Sequence, residues 1–240
     1  MGREFVLKLD KEREFDEIWV IARRIEPLLA LAEQTRAKIR AISLDLTKSE
    51  SMEEYSALLD AEKPSVKVLV NASGFGRFGA FEDIPLELQL EMIDLNSKAL
   101  VAMTYRTLPY MQSGAEIFEV GSLSAFQPVP YIGVYGASKS FVLSFSRAIG
   151  VELKKKGIRV MAVCPGWVKT SFFDRAVTDD TITYYNRFYT AEQVVTRALR
   201  DMKKGKDVSV CGKQIRAQVL LTKLLPHRLV MKIWCKQQNK

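Results

Sequence analysis

Tyr135 and Lys139 stand four residues apart in the run Tyr135-Gly136-Ala137-Ser138-Lys139, with Ser122 upstream. On a helix, residues at that spacing share a face, so the ammonium lies beside the phenol. A free tyrosine titrates at about pH 10, roughly three units above neutrality. A cation about 4–6 Å away favours the phenolate and lowers that value. The pair is therefore suited to acid/base chemistry. The same spacing also arises where a surface tyrosine sits above a solvated lysine, so the elements around the pair have to decide.

Those elements alternate. Short apolar strands are predicted at Glu17–Ala22, Ile39–Leu46, Val66–Val70, Glu116–Val120, Ile158–Val163 and Val208–Cys211. Helices are predicted at Gly2–Arg13, Ile25–Lys38, Thr47–Ala61, Pro85–Gln112, Val134–Lys156, Thr190–Lys203 and Lys213–Cys235. Thr47 with Glu50 three residues on has the form of a capping box. Trp167–Phe188 reads as irregular and aromatic. Strands alternating with helices argue an α/β fold with a doubly wound parallel sheet between two helical layers. Ligands bind such sheets at the carboxyl ends of the strands. The polar clusters fall at those ends: Arg23-Arg24, Asp45, Asn71 to Gly76, Ser122 and Pro165 to Thr170.

Ser122, Tyr135 thirteen residues later and Lys139 resemble the catalytic set of the short-chain dehydrogenase/reductase family. Asn96 matches the family's fourth catalytic position. Asn71-Ala72-Ser73-Gly74 resembles its Asn-Asn-Ala-Gly turn, and Pro165-Gly166 with Thr170 resembles its Pro-Gly turn and nicotinamide-contacting Thr. Asp45-Leu46 resembles the adenine-contacting pair. The resemblance, which runs from Gly2 to about Gly212, implies a Rossmann-type fold binding a nicotinamide dinucleotide. It implies that Tyr135 exchanges a proton with a carbonyl or alcohol oxygen, that Lys139 lowers the tyrosine pKa and holds the ribose, and that Ser122 binds the substrate oxygen. Asn96 would fix a water linking Lys139 to solvent. The second strand ends in Arg23-Arg24 with no acid, so NADP is expected over NAD.

One part of the pattern departs. The family opens with a strand and a Thr-Gly-x-x-x-Gly-x-Gly loop, of which only Gly2 has a counterpart here. That strand would lie between those starting near Glu17 and Val66. Its absence is expected to leave a gap in the sheet, low stability and weak cofactor affinity, and a start assigned at an internal Met is one explanation. An inactive truncated product, or a dinucleotide sensor without turnover, is the alternative reading.

Composition bounds the rest. The 240 residues, 48% hydrophobic and 27% charged, suit one domain, 1–240, with a basic tail over about 213–240. Cys164, Cys211 and Cys235 are too scattered for a disulfide framework or a metal site, so no metal and a reducing cytoplasm are expected. The net charge of +8 is concentrated in the tail, where seven basic residues follow Gly212 with no acidic one. The tail is expected to pack on the body or a partner subunit rather than on a membrane surface, although its amphipathic pattern admits the latter. Nucleic acid is not expected as a partner; a homodimer or homotetramer is. Trp167, Phe172, Phe173, Tyr184, Tyr185, Phe188 and Tyr189, with Phe126 and Val129, suggest either an apolar pocket for a lipophilic carbonyl compound or rings that simply pack a lid onto the core.

Overall fold

A computed structural model describes residues 1–240. The chain runs through α1 (Gly2–Glu12), β1 (Glu17–Ala22), α2 (Glu26–Leu29), β2 (Lys38–Ser43), α3 (Ser49–Glu62), β3 (Val66–Asn71), α4 (Leu86–Ile93), α5 (Ala99–Thr107) and β4 (Met111–Val120). It continues through α6 (Gly133–Leu153), β5 (Arg159–Val163), β6 (Trp167–Lys169), α7 (Phe172–Ala176), β7 (Phe188–Thr190), α8 (Ala191–Lys203), β8 (Val208–Ser209), α9 (Lys213–Leu224) and α10 (His227–Gln237). All strand pairings are parallel. The main sheet has the order β3-β4-β5-β8, while β1 and β2 pair only with each other. The gap expected between β1 and β3 is therefore present.

Burial follows that division. Every residue of β4 from Ala115 to Glu119 and of β5 from Val160 to Val163 is buried, whereas β1 and β3 each bury one residue, Val20 and Leu69. Side chains join the two sheets instead of a hydrogen-bond ladder. Phe5 of α1 packs on Phe118 of β4, ring centroids 5.1 Å apart. Ile42 and Leu44 join Met52, Tyr55 and Leu59 of α3 and Met103 of α5 in one apolar cluster. Asp10 of α1, 4% exposed, accepts the backbone N–H groups of Arg36 and Ala37, both at 2.9 Å, just before β2.

That clamp explains one correction. The helix predicted over Ile25–Lys38 is a single turn, α2, followed by a 3-10 turn at Ala32–Gln34. The backbone donors of Arg36 and Ala37 go to Asp10, so no helix can use them. A second correction concerns Thr47. Its backbone N–H and hydroxyl donate to Asp45 Oδ1 at 3.0 and 2.7 Å, and α3 starts after Lys48 without a side-chain cap. The long helix predicted at Pro85–Gln112 is broken by a π-turn over Asp94–Lys98 and stops at Thr107. The aromatic segment after Trp167 is partly regular, holding β6, α7 and β7. Pro226, lacking an N–H, separates α9 from α10. No helix is long and apolar enough to cross a membrane.

Candidate active site

The carboxyl ends of β1 to β5 open into one cleft of about 670 Å³. At its floor β4 ends and delivers Ser122, which starts a 3-10 turn and accepts the N–H of Ser124 at 3.2 Å. Tyr135 and Lys139 lie in the first two turns of α6, both buried. The ammonium sits 5.9 Å from the centre of the phenol ring. It donates to the carbonyl of Val120 at 2.8 Å, an anchor at the end of β4.

The electrostatics differ from the sequence expectation. Burial pushes the Tyr135 phenol up to about 12, against a lowering by the Ser122 hydroxyl. The rings of Phe172 and Phe78, centred 5.5 and 6.0 Å from that of Tyr135, form much of this cover. Lys139 is pushed down to about 8, chiefly by burial, while Cys164 and Glu119 act to raise it. For each group desolvation is the largest influence, ahead of the Ser122 hydroxyl at Tyr135 and of the Cys164 and Glu119 charges at Lys139.

Asn96 falls in the π-turn, whose extra residue is marked by the Ala99 N–H bonding the Asp94 carbonyl. Such bulges often occur at functional positions. Its amide does not face the cleft. Oδ1 accepts the Phe75 N–H at 3.0 Å, and Nδ2 donates to the Phe75 carbonyl at 2.9 Å and to Ser138 Oγ at 3.1 Å. It ties the turn after β3 to α6. Gly74 has to be glycine in that turn, because a Cβ there would lie 2.7 Å from Asn96 Oδ1 and 3.3 Å from Lys139 Nζ.

Of the cofactor-site candidates, Arg23, Asp45, Leu46, Ala72, Ser73, Gly74, Pro165, Gly166 and Thr170 all line the cleft beside Ser122, Tyr135 and Lys139. Gly2, Asn71 and Asn96 do not. Gly2 opens α1, where an added Cβ would come 3.6 Å from that of Ala72. Asn71 turns inward, and its Nδ2 donates to Thr104 Oγ at 2.9 Å and Glu119 Oε1 at 3.2 Å.

The residues present suit a dinucleotide. Arg23, Arg24 and a proton donor, Tyr135, line the same cleft, and Asn96 and Lys139 leave no room for a side chain at Gly74. The free N–H groups of the α1 N-terminus lie beside the Ala72 turn and favour an anion.

Three contributors to the site were not assigned to it beforehand. Phe78 fills the space between Tyr135, Trp167 and Phe172. Trp234 of α10 donates to the Pro130 carbonyl at 3.0 Å and so brings the tail to the cleft wall. Phe78 is a single apolar residue outside any motif, and Trp234 reads only as part of the apolar pattern of the tail, so no spacing ties either to the cleft. Glu119 is a third. It is fully buried on β4, its Oε1 lies 2.8 Å from Thr104 Oγ, and its Oε2 has no partner. Burial pushes its carboxyl up to about 7, against the Thr104 and Asn71 bonds and the Lys139 charge. A Glu among the apolar residues Ile117, Phe118 and Val120 was the available signal.

Comparison with known proteins decides the family. The short chain dehydrogenase family model matches residues 1–181. The chain belongs to the short-chain dehydrogenase family. Within it, the chain is 35% identical over 156 residues to sulfoacetaldehyde reductase 2 of Chromohalobacter salexigens, covering 62% of each. It is 27% identical over 172 residues to an uncharacterised oxidoreductase of Staphylococcus epidermidis, covering 71% of this chain and 74% of that protein. A short-chain dehydrogenase from Sphingobium yanoikuyae, solved with NADPH, superposes with TM-score 0.75 at 25% identity, over 87% of this chain and 82% of the other. A Burkholderia cenocepacia short-chain dehydrogenase solved with NADP shares the fold with TM-score 0.79 at 18% identity, over 97% and 92% of the two chains. This short-chain dehydrogenase is thus an oxidoreductase of Rossmann type.

Proposed function

We infer that this dehydrogenase is an NADP-linked carbonyl reductase or alcohol dehydrogenase acting on an apolar substrate. The observation that carries the reading is the convergence of Ser122, Tyr135 and Lys139 on one cleft that Arg23 and Arg24 also line. The bound nicotinamide would supply or accept the hydride. Tyr135, Lys139 and the Pro165–Thr170 segment would orient its reactive end, and Arg23 would fork a 2′-phosphate. Relatives solved with NADPH and NADP support the cofactor class, while a Burkholderia phymatum short-chain dehydrogenase of the same fold was solved with NAD.

Ser122 Oγ would hydrogen-bond the substrate oxygen, and Tyr135 would give that oxygen its proton as the carbonyl becomes an alcohol. At neutral pH the phenol holds its proton, as the acid role requires. Lys139, held by the Val120 carbonyl, would stabilise the phenolate left behind and pass a proton back to it. Phe78, Trp167, Phe172 and Trp234 give the substrate end apolar walls. Three unpaired thiols suit a reducing cytoplasm. Exposed Tyr105 of α5 with Phe141 and Val151 of α6 offer an apolar face for dimer or tetramer assembly.

Screening carbonyl compounds for NADPH oxidation tests the reading. Turnover of aryl or long-chain ketones supports it. Cofactor binding without turnover of any carbonyl or alcohol favours the sensor alternative.

A further inference from the structure

α9 and α10 pack one face on the body through Ile215, Val219 and Val230, yet they are apolar on the outside as well. Ala217, Leu220, Leu221 and Leu224 are all exposed and follow the i, i+3, i+4, i+7 spacing of a single stripe. Leu220 and Leu224 are 60% and 72% exposed, and α10 adds Leu229 and Ile233, each 44% exposed. The same segment carries Lys213, Arg216, Lys223, Arg228, Lys232, Lys236 and Lys240, of which Lys223 and Lys240 lie 5.8 and 5.7 Å from the Phe126 and Tyr131 rings. None of the seven has a carboxylate within ion-pair distance; every ion pair of the chain lies outside this segment. The hairpin also borders the cleft, where Leu221, Leu225 and Ile233 form part of its wall.

We propose that α9 and α10 form a docking face for an anionic lipid surface, with the stripe entering the headgroup boundary and the cations meeting acidic headgroups. Charge decides among the partners that could cover the stripe. A second copy related by a two-fold axis would press this all-basic segment against itself, with no acid in it to offset the repulsion. Nucleic acid would match the charge, but the exposed groups are leucine and isoleucine, and Trp234 is engaged with Pro130 and unavailable for base stacking. An amphipathic pair with cations flanking leucines suits an acidic bilayer on both counts. Docking in this way sets the cleft wall against the bilayer, giving a lipophilic carbonyl compound a route from lipid to Tyr135. That consequence rests on the reductase reading; the docking itself does not.

Vesicle sedimentation of the full chain tests it, using phosphatidylcholine alone and phosphatidylcholine mixed with phosphatidylserine. The full chain should sediment with the mixed vesicles only, and added salt should release it. Lys223→Gln/Lys232→Gln/Lys236→Gln should weaken partitioning about a hundredfold. Leu220→Gln/Leu224→Gln, at exposed positions that leave the core intact, should weaken it too. Tyr135→Phe should partition as the parent does, and a parent chain that docks but turns over no carbonyl compound counts against the reductase reading alone. The docking proposal is overturned if mixed vesicles at low salt leave the protein in the supernatant. It is equally overturned if the triple variant partitions unchanged, or if the leucine variant only converts a dimer to a monomer.

Discussion

Asn96 closes both backbone hydrogen bonds of Phe75, accepting its N–H at 3.0 Å and donating to its carbonyl at 2.9 Å. The side chain thereby replaces a strand neighbour for a buried turn that carries Gly74 against Lys139. Asn96→Ala leaves the Phe75 N–H and carbonyl without partners. The expected cost is about 2–4 kcal/mol, read from urea unfolding. Asn96→Asp keeps the acceptor and loses the donor, so it should fall between the two.

Glu119 predicts an unusual pH dependence. Its carboxyl is pushed up to about 7 in the folded chain from an ordinary value of 4.5. The folded state therefore binds the proton more tightly than the unfolded state. The stability this contributes is complete below about pH 4.5 and is lost as pH rises through about 7. Glu119→Gln removes the ionisation while keeping an acceptor for Thr104 and Asn71. The variant should match the parent near pH 5 and exceed it by about 2 kcal/mol at pH 8. Equal stability of the two at pH 8 would mean that the carboxyl is not desolvated as described.

The division of the sheet predicts uneven protection of the backbone. Amides of β1 and β2 should exchange by openings several kcal/mol below those that expose β4 and β5, because only side-chain packing and the Asp10 clamp tie the first pair to the rest. Asp10→Ala should lower the β1–β2 opening energy by about 2–3 kcal/mol, by removing the acceptor of two backbone donors. Exchange rates mapped residue by residue check this. Uniform protection across all six strands β1–β5 and β8 would contradict it.

Arg23 is the residue on which cofactor preference turns. Its side chain is half exposed and lies 3.6 Å from Glu91, a pairing too loose to hold it. Arg23→Ala should weaken NADPH binding about 10–100-fold and leave NADH nearly unaffected, as measured by calorimetry. Equal loss for both cofactors would place Arg23 outside the 2′-phosphate site.

How much of this was legible beforehand differs by residue. The strand ends were readable because apolar runs stop at polar clusters, and the cleft does gather Arg23, Asp45, Ser122, Tyr135 and Pro165. The gap beside β1 was readable because residues 1–240 offer no apolar run to pair between β1 and β3. What sequence could not supply was direction. Asn71 sits in the expected turn, but its amide points inward to Glu119 because a buried carboxylate needs donors. Thr47 has the right neighbours for a cap and bonds Asp45 instead. The depth of burial of Tyr135 was not readable either, because the rings that cover it, Phe78 and Phe172, come from segments far away in the chain.

The central claim is that Tyr135 is the proton donor of a reductase. Tyr135→Phe keeps the ring that packs against Phe78 and Phe172 and removes only the hydroxyl. The most direct measurement pairs its NADPH affinity with its rate of NADPH oxidation on a carbonyl compound that the parent turns over. The account predicts affinity within about twofold of the parent and a rate lower by at least about 10²-fold. A variant that reduces the same substrate at the parent's rate would contradict it.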